Sequence, residues 1–271
     1  MDRVIEHDGC QLAYSVRGNG PAVLFIQGVG IHGDGWRPQL DALADSFTCV
    51  WFDNRGMGQS QPAGADITVE RMADDARAVL DAAGVESAHV VGHSLGGLVA
   101  VQLALSARER VRSLSLLCTF SGGPHAAPLT ARMIWLGLRT KFGTRTMRRR
   151  GFLKLIHPPG PITNIDAEAE RMAGLFGHDL ADQPPIADAQ LKAMKASDLT
   201  PRLGELVGLP TLVVSAAHDP IAPPSAGRTL HAGIPGSRYV EYPDASHGLP
   251  LTHPERVNAL LREHRAAAQS G

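Results

Sequence analysis

Residues 88 to 99 read Ala-His-Val-Val-Gly-His-Ser-Leu-Gly-Gly-Leu-Val, and no other stretch restricts the fold as tightly. An apolar run ending at Val91 meets Gly92, then His93 and Ser94; Gly96 and Gly97 then open an apolar stretch of helical character, Leu98 to Leu105. This order predicts a buried strand that turns sharply into a helix. Gly92-His93-Ser94-Leu95-Gly96 fits G-x-S-x-G. The need for that pattern is steric. A serine on so tight a turn has a strained backbone, and its neighbours two places away must lack side chains for strand and helix to approach. The turn lifts Oγ clear of the sheet, and the N–H groups opening the helix face outward, where they can meet an anion.

Strands alternate with helices on either side of this turn. Residues 3 to 17 have the form of a β-hairpin around His7-Asp8-Gly9. Ala22 to Ile26 is a fully apolar short run, as in a strand covered on both faces, and it ends in the glycine-rich segment from Gln27 to Trp36. Thr48 to Phe52 is another, ending at Asp53-Asn54-Arg55-Gly56-Met57-Gly58-Gln59-Ser60. Helical spacing runs from Val69 to Ala83, and Val111 to Leu117 is a further strand. The pattern is that of βαβ units and predicts an α/β fold with a doubly wound, mostly parallel sheet. From about 120 to 200 the rhythm breaks. The text there is amphipathic and helical, punctuated by Pro158-Pro159-Gly160-Pro161 and Pro184-Pro185, and it is read as an inserted helical cap. The expected division is a core of residues 1–120 and 200–271 with a cap at 121–199. Strands resume at Thr211 to Ser215 and Arg238 to Tyr242, and a helix runs from about Pro254 to Ala267.

A serine hydroxyl needs a base to take its proton, and the base needs an acid to fix its tautomer. In such a sheet the partners lie after later strands, in the order serine, acid, histidine. The strand ending at Ser215 runs into Ala217-His218-Asp219, and the next runs into Asp244-Ala245-Ser246-His247-Gly248. Ser94, Asp219 and His247 therefore stand in the required order at carboxyl ends of strands. Asp244, three residues before His247, suits a turn better than the acid role.

These four segments resemble the α/β-hydrolase fold family, in its cap-bearing esterase, lactonase and C–C hydrolase branch. The resemblance spans nearly the whole chain. It implies Ser94 as nucleophile, His247 as base and Asp219 as its orienter, with an oxyanion hole formed by the backbone N–H groups of Val29 and Leu95. One departure is that the family commonly has His-Gly where this chain has Gln27-Gly28. The donor at Val29 does not depend on that side chain, though the support of its loop does. Epoxide hydrolases and haloalkane dehalogenases of this fold require a carboxylate where Ser94 stands, which excludes those branches.

Gly28, His32, Trp135 and Leu138 are candidates for the substrate pocket. For His32, substrate contact and loop packing are both open readings; Trp135, Leu138 and Phe142 are either cap core or an acyl pocket. His93 reads as a packed elbow residue, Arg55 as a brace for its turn, and Arg145, Arg148, Arg149 and Arg150 as the solvated face of a cap helix. Neither a metal-ligand cluster nor a nucleotide fingerprint is present, so no metal and no cofactor are expected. A net charge of −1 gives no reason to expect nucleic acid or an anionic membrane as partner. Cys10, Cys49 and Cys118 read as separate buried thiols, and with no apolar leader in view the expected location is cytoplasmic. The expected function is a serine hydrolase cleaving a carboxylic ester or lactone through an acyl-enzyme. Its substrate is a small molecule with an apolar portion, an N-acyl homoserine lactone being one candidate, and the protein is a monomer or homodimer. The alternatives are a C–C bond hydrolase or enol-lactonase of the same fold, or a ligand receptor without turnover.

Overall fold

Interior strands send alternate side chains to opposite faces, and apolar residues dominate both. In β3 (Ala22–Ile26) Leu24 and Ile26 join one core while Val23 and Phe25 join the other. The same division holds in β5 (Ala88–His93), where Val90 and Val91 part company, and in β7 (Thr211–Ala216), where Val213 opposes Leu212 and Val214. Strands buried on both sides read as continuous apolar runs because no position is left for a polar alternation.

The structure is a computed structural model, describing residues 1–64, 66–123 and 131–269, with the backbone alone described at 131–134 and 269. Eight strands form one sheet in the order β1-β2-β4-β3-β5-β6-β7-β8. The hairpin of β1 (Arg3–His7) and β2 (Cys10–Arg17) lies at one edge, and β2 pairs antiparallel with β4 (Thr48–Phe52). Every other pair is parallel, through β6 (Val111–Leu117) to β8 (Arg238–Tyr242). α2 (Val69–Ala82), α3 (Leu95–Ser106) and α8 (Pro224–Gly233) cover one face. α1 (Arg37–Leu43) and α10 (Pro254–Gln269) cover the other. α3 is buried on all sides, as befits the helix carrying the central turn.

Among the described residues, four α-helices stand between β6 and β7, α4 (Ala131–Lys141), α5 (Arg145–Ile156), α6 (Ile165–Phe176) and α7 (Ala187–Ala196). Residues 124–130 of the cap anticipated at 121–199 lie outside the described residues. This segment has its own small apolar cluster, in which Leu153, Ile156, Met172, Phe176 and Leu180 pack with Ile31 and Leu251. Asn164 caps α6 by accepting from the Ala167 N–H at 3.0 Å, and Gly177, at φ 81°, ends it.

Two features were not in the sequence reading. The helix α8 has only Ala226, Gly227 and Leu230 buried, too short a stripe to announce itself. Short α9 (Leu249–Thr252) follows His247 directly. Among the described residues, no helix is long and apolar enough to cross a membrane.

Candidate active site

The turn between β5 and α3 places Ser94 at φ 55° and ψ −123°, left-handed for a residue with a side chain. Such a conformation costs roughly 1–3 kcal/mol and persists only where the surroundings enforce it. Here the Ser94 N–H donates to the Leu117 carbonyl at 3.1 Å, and Thr119 Oγ1 donates to the Ser94 carbonyl at 2.6 Å. A Cβ on Gly92 would stand 2.3 Å from the Gly96 oxygen, and one on Gly96 would stand 2.1 Å from the Ile26 oxygen. Both glycines are therefore obligatory.

His247, after β8, turns Nε2 to Ser94 Oγ at 3.0 Å and Nδ1 to Asp219 Oδ2 at 2.8 Å. Asp219, after β7, accepts at Oδ1 from the N–H groups of Ile221 and Ala222, each at 2.8 Å. A carboxylate only accepts, so the imidazole proton is on Nδ1, and the Nε2 lone pair faces the serine hydroxyl. All three side chains are buried. Asp244 is elsewhere: both its oxygens accept from Arg256 at 2.8 Å on the exposed surface, and that guanidinium holds its carboxyl below the usual range.

His93 donates from Nε2 to the His247 carbonyl at 2.8 Å, with its ring centroid 4.9 Å from that of His247 and edge-on to Trp36. Burial, reinforced by His247, pushes its pKa down to about 3, so it is neutral and serves as a fixed donor. Burial likewise raises the Cys118 thiol, beside Asp219, well above its ordinary value.

The loop after β3 closes on the serine from the other side. A Cβ on Gly28 would lie 3.1 Å from Ser94 Cβ, so Gly28 is brought directly against the turn. Among the described residues, neither the Val29 N–H nor the Leu95 N–H has a hydrogen-bond partner; Leu95 opens α3 and has no acceptor one turn earlier. Gln27 accepts from its neighbour, the Gly28 N–H, at 3.2 Å, and Asn54 Nδ2 donates to the Gln27 carbonyl at 3.0 Å. The loop is thus held without the histidine usual at position 27.

His32 is packed into the loop. A Cβ on Gly177 would meet its ring at 2.4 Å, and one on Gly58 would meet Nδ1 at 3.1 Å. Trp135 and Leu138 stand at the surface of α4, 46% and 52% exposed, with Arg139 and Lys154 over the indole; the buried residue of that turn is Leu136. The structure does not place them in the packed interior of the segment. Arg55 is fully buried in a two-pronged pair with Asp75, at 2.6 and 2.5 Å. Arg145 and Arg149 are more than a solvated face, since both bind Asp179. Among the described residues, no group of three or more His, Cys, Asp or Glu is arranged to hold a metal ion.

The sequence reading missed Thr119, His178 and Gln190. Each acts on backbone far away in the chain, Gln190 on Gly30 and His178 on Gly30 also, and no local pattern marks such a contact.

The model of the alpha/beta hydrolase fold family matches residues 21–254, and the chain belongs to that family. A relative from Azorhizobium caulinodans named carbamate hydrolase RutD is 33% identical over 94% of this chain and 95% of its own. Among solved structures, a thermophilic esterase from Thermogutta terrifontis is 26% identical, with a TM-score of 0.78 over 98% of this chain and 99% of its own. Est816, described as an N-acyl homoserine lactone degrading enzyme, is also 26% identical, with a TM-score of 0.78 over 96% and 99%. The chain is a hydrolase of this fold.

Proposed function

We propose that this hydrolase cleaves carboxylic esters or lactones through an acyl-enzyme on Ser94. The observation that carries the reading is the unbroken relay from Ser94 Oγ through His247 to Asp219, at 3.0 and 2.8 Å. His247 Nε2 takes the hydroxyl proton as Oγ attacks the carbonyl carbon, and Asp219 stabilises the imidazolium that forms. The N–H groups of Val29 and Leu95 receive the oxyanion, aided by the amino end of α3. His247 returns the proton to the departing alkoxide, leaving Ser94 acylated. Water, deprotonated by His247, then attacks the acyl carbon and frees the serine. An open-chain ester releases its alcohol at the first step, whereas a lactone keeps it tethered to the acyl group. The likeness to an esterase and to a lactone-degrading enzyme agrees with this.

A second reading has its own support. The relative named carbamate hydrolase is more similar in sequence than those two solved structures. A carbamate presents the same carbonyl flanked by nitrogen, and the relay serves it by the same steps, through a carbamoyl-enzyme. One experiment tests both readings. Steady-state turnover is measured on p-nitrophenyl esters of rising acyl length, simple and N-acyl homoserine lactones, and carbamate esters, for wild type and Ser94→Ala. Ser94-dependent turnover is expected, and the panel with the highest kcat/KM names the substrate class. Activity that survives in Ser94→Ala, or none on any panel, overturns the proposal.

A further inference from the structure

The proposed oxyanion donors are backbone groups, so what fixes Val29 is whatever fixes its neighbours. Gly30, at φ 70°, has both of its peptide groups engaged by distant side chains. Its N–H donates to Gln190 Oε1 at 2.9 Å, across 160 residues of sequence. Its carbonyl accepts from His178 Nε2 at 2.7 Å. Both side chains belong to the helical segment between β6 and β7: Gln190 to α7 and His178 to the turn after α6. A third bond, His32 N–H to the Phe176 carbonyl at 3.2 Å, ties the same loop to the end of α6.

Gln190 is fully buried, and its Nε2 has no hydrogen-bond partner among the described residues. Since the Gly30 N–H only donates, the amide oxygen must face it, which fixes the rotamer. Burying an amide for a single bond is costly, and an apolar residue would fill the position without that cost. The retained contact is the one to Gly30. His178 faces two carbonyl oxygens, that of Gly30 through Nε2 and that of Asp179 through Nδ1 at 2.9 Å; a neutral ring has one N–H to give, and the tautomer with its proton on Nε2 is the one that serves Gly30. The segment also grips the histidine side of the site, where the Gly248 N–H donates to the Ile156 carbonyl at 2.9 Å.

We propose that Gln190 and His178 are positioning residues that hold Gly30, and through it the Val29 N–H, against the oxyanion formed at Ser94. The helical segment is then part of the catalytic geometry. This inference rests on the reading of Val29 as an oxyanion donor.

The test pairs a structural readout with a kinetic one. Gln190→Met removes the acceptor at nearly constant shape, Gln190→Glu keeps it, and His178→Phe removes the donor. Hydrogen–deuterium exchange is followed in the peptide spanning residues 27–33, kcat and KM on a p-nitrophenyl ester, and inhibition by an alkyl boronic acid, which forms a tetrahedral adduct on serine. In Gln190→Met, exchange at Gly30 is expected to rise about tenfold or more, because its amide loses its protecting bond. The kcat is expected to fall about 10- to 100-fold, less than loss of a whole oxyanion donor, with KM within about threefold. The boronic acid weakens in step with kcat, and Gln190→Glu recovers the exchange protection. Unchanged exchange in both Gln190→Met and His178→Phe overturns the clamp whatever the kinetics. Faster exchange with unchanged kcat and boronic acid affinity overturns the donor role of Val29, and the proposal with it. A rise in KM that accounts for the whole loss overturns positioning in favour of pocket shape. Should Gln190→Met fail to fold, His178→Phe, which frees the Gly30 carbonyl rather than its N–H, tests the clamp by kcat, KM and boronic acid affinity: a fall in kcat with weaker boronic acid binding and KM within about threefold is expected, and an unchanged kcat or a loss carried wholly by KM overturns it.

Discussion

The sheet core and the helical segment between β6 and β7 solve the same problem, holding charged groups in a folded chain, in opposite ways. In the core, Arg55 and Asp75 are almost wholly buried and meet in two-pronged contact, with His7 Nδ1 adding a third bond at 2.9 Å. In the segment, Arg145 and Arg149 reach Asp179, Asp182 and Asp166 across a surface where Arg145 is 53% exposed. The core pair braces the turn after β4 from beneath the sheet edge. The surface network laces α5 to the turn after α6, which carries His178. A buried pair is rigid because breaking it strands a charge, whereas an exposed network yields cheaply to salt or motion. The relay sits on the rigid part, and the proposed oxyanion clamp is supplied by the yielding one.

Catalysis gives the largest effect with which to probe that contrast. Ser94→Ala is expected to lower kcat by roughly 10⁴-fold or more, since members of such a relay act as a unit. Asp219→Asn should follow it closely in steady-state assays, while Asp244→Asn, on the exposed surface, should change kcat little. Equal losses in the two aspartate variants would transfer part of the acid role to Asp244.

Stability comes next. Asp75→Asn leaves the Arg55 guanidinium buried against a neutral partner, and equilibrium urea unfolding should register a loss of about 3–5 kcal/mol. A loss no larger than that of Asp179→Asn would erase the distinction between the two regions.

The chain that makes this contrast was unevenly legible. Strands β3, β4 and β7 could be read because they are buried and largely apolar, while the edge strand β8, Arg238–Tyr242, is half-exposed and showed itself only by its Tyr-Val content; Gly92 and Gly96 marked the central turn because their positions admit no Cβ. The approach of Ser94, Asp219 and His247 followed from strand order alone, since parallel strands bring their carboxyl ends to one rim. The segment was harder. Amphipathic spacing marks helices but does not say which residue meets which loop, so Trp135 and Leu138 could not be told from interior residues, and Arg149 could not be paired with Asp179. Gln190 gave no signal because its partner is a backbone N–H.

Acid separates the regions by pH window. His89 on β5 borders a cavity of about 20 Å³ under α10 with His264 and Arg265. Burial, aided by the nearby cations, lowers its pKa to about 4. The unfolded chain therefore binds the proton first, and stability present above about 6.5 is lost as pH falls toward 4, by on the order of 3 kcal/mol at most. Asp179 is also depressed, by Arg149 first and Arg145 after it. Its contribution is present above the ordinary carboxylate pKa and is lost only as pH falls below it. Thermal melts from pH 7 to 3 should show the core loss first, and His89→Gln should flatten the upper part alone. An unaltered slope in His89→Gln would remove His89 as its source.

The smallest expected effect probes the network itself. Asp179→Asn keeps an oxygen for the Ala181 N–H, which Oδ1 accepts at 2.8 Å, but removes the charge that Arg145 and Arg149 share. Because Arg145 is half-exposed and the pairs lie at the surface, the expected loss is about 1 kcal/mol at low ionic strength. Screening acts over ~10 Å at 0.1 M salt and ~3 Å at 1 M, so the difference from wild type should shrink toward zero in 1 M sodium chloride. Asp75→Asn should keep its full loss there, since ions do not reach a buried pair. A salt-independent loss in Asp179→Asn would make the turn after α6 a second rigid brace, and the clamp on Gly30 would then be anchored as firmly as the relay it serves.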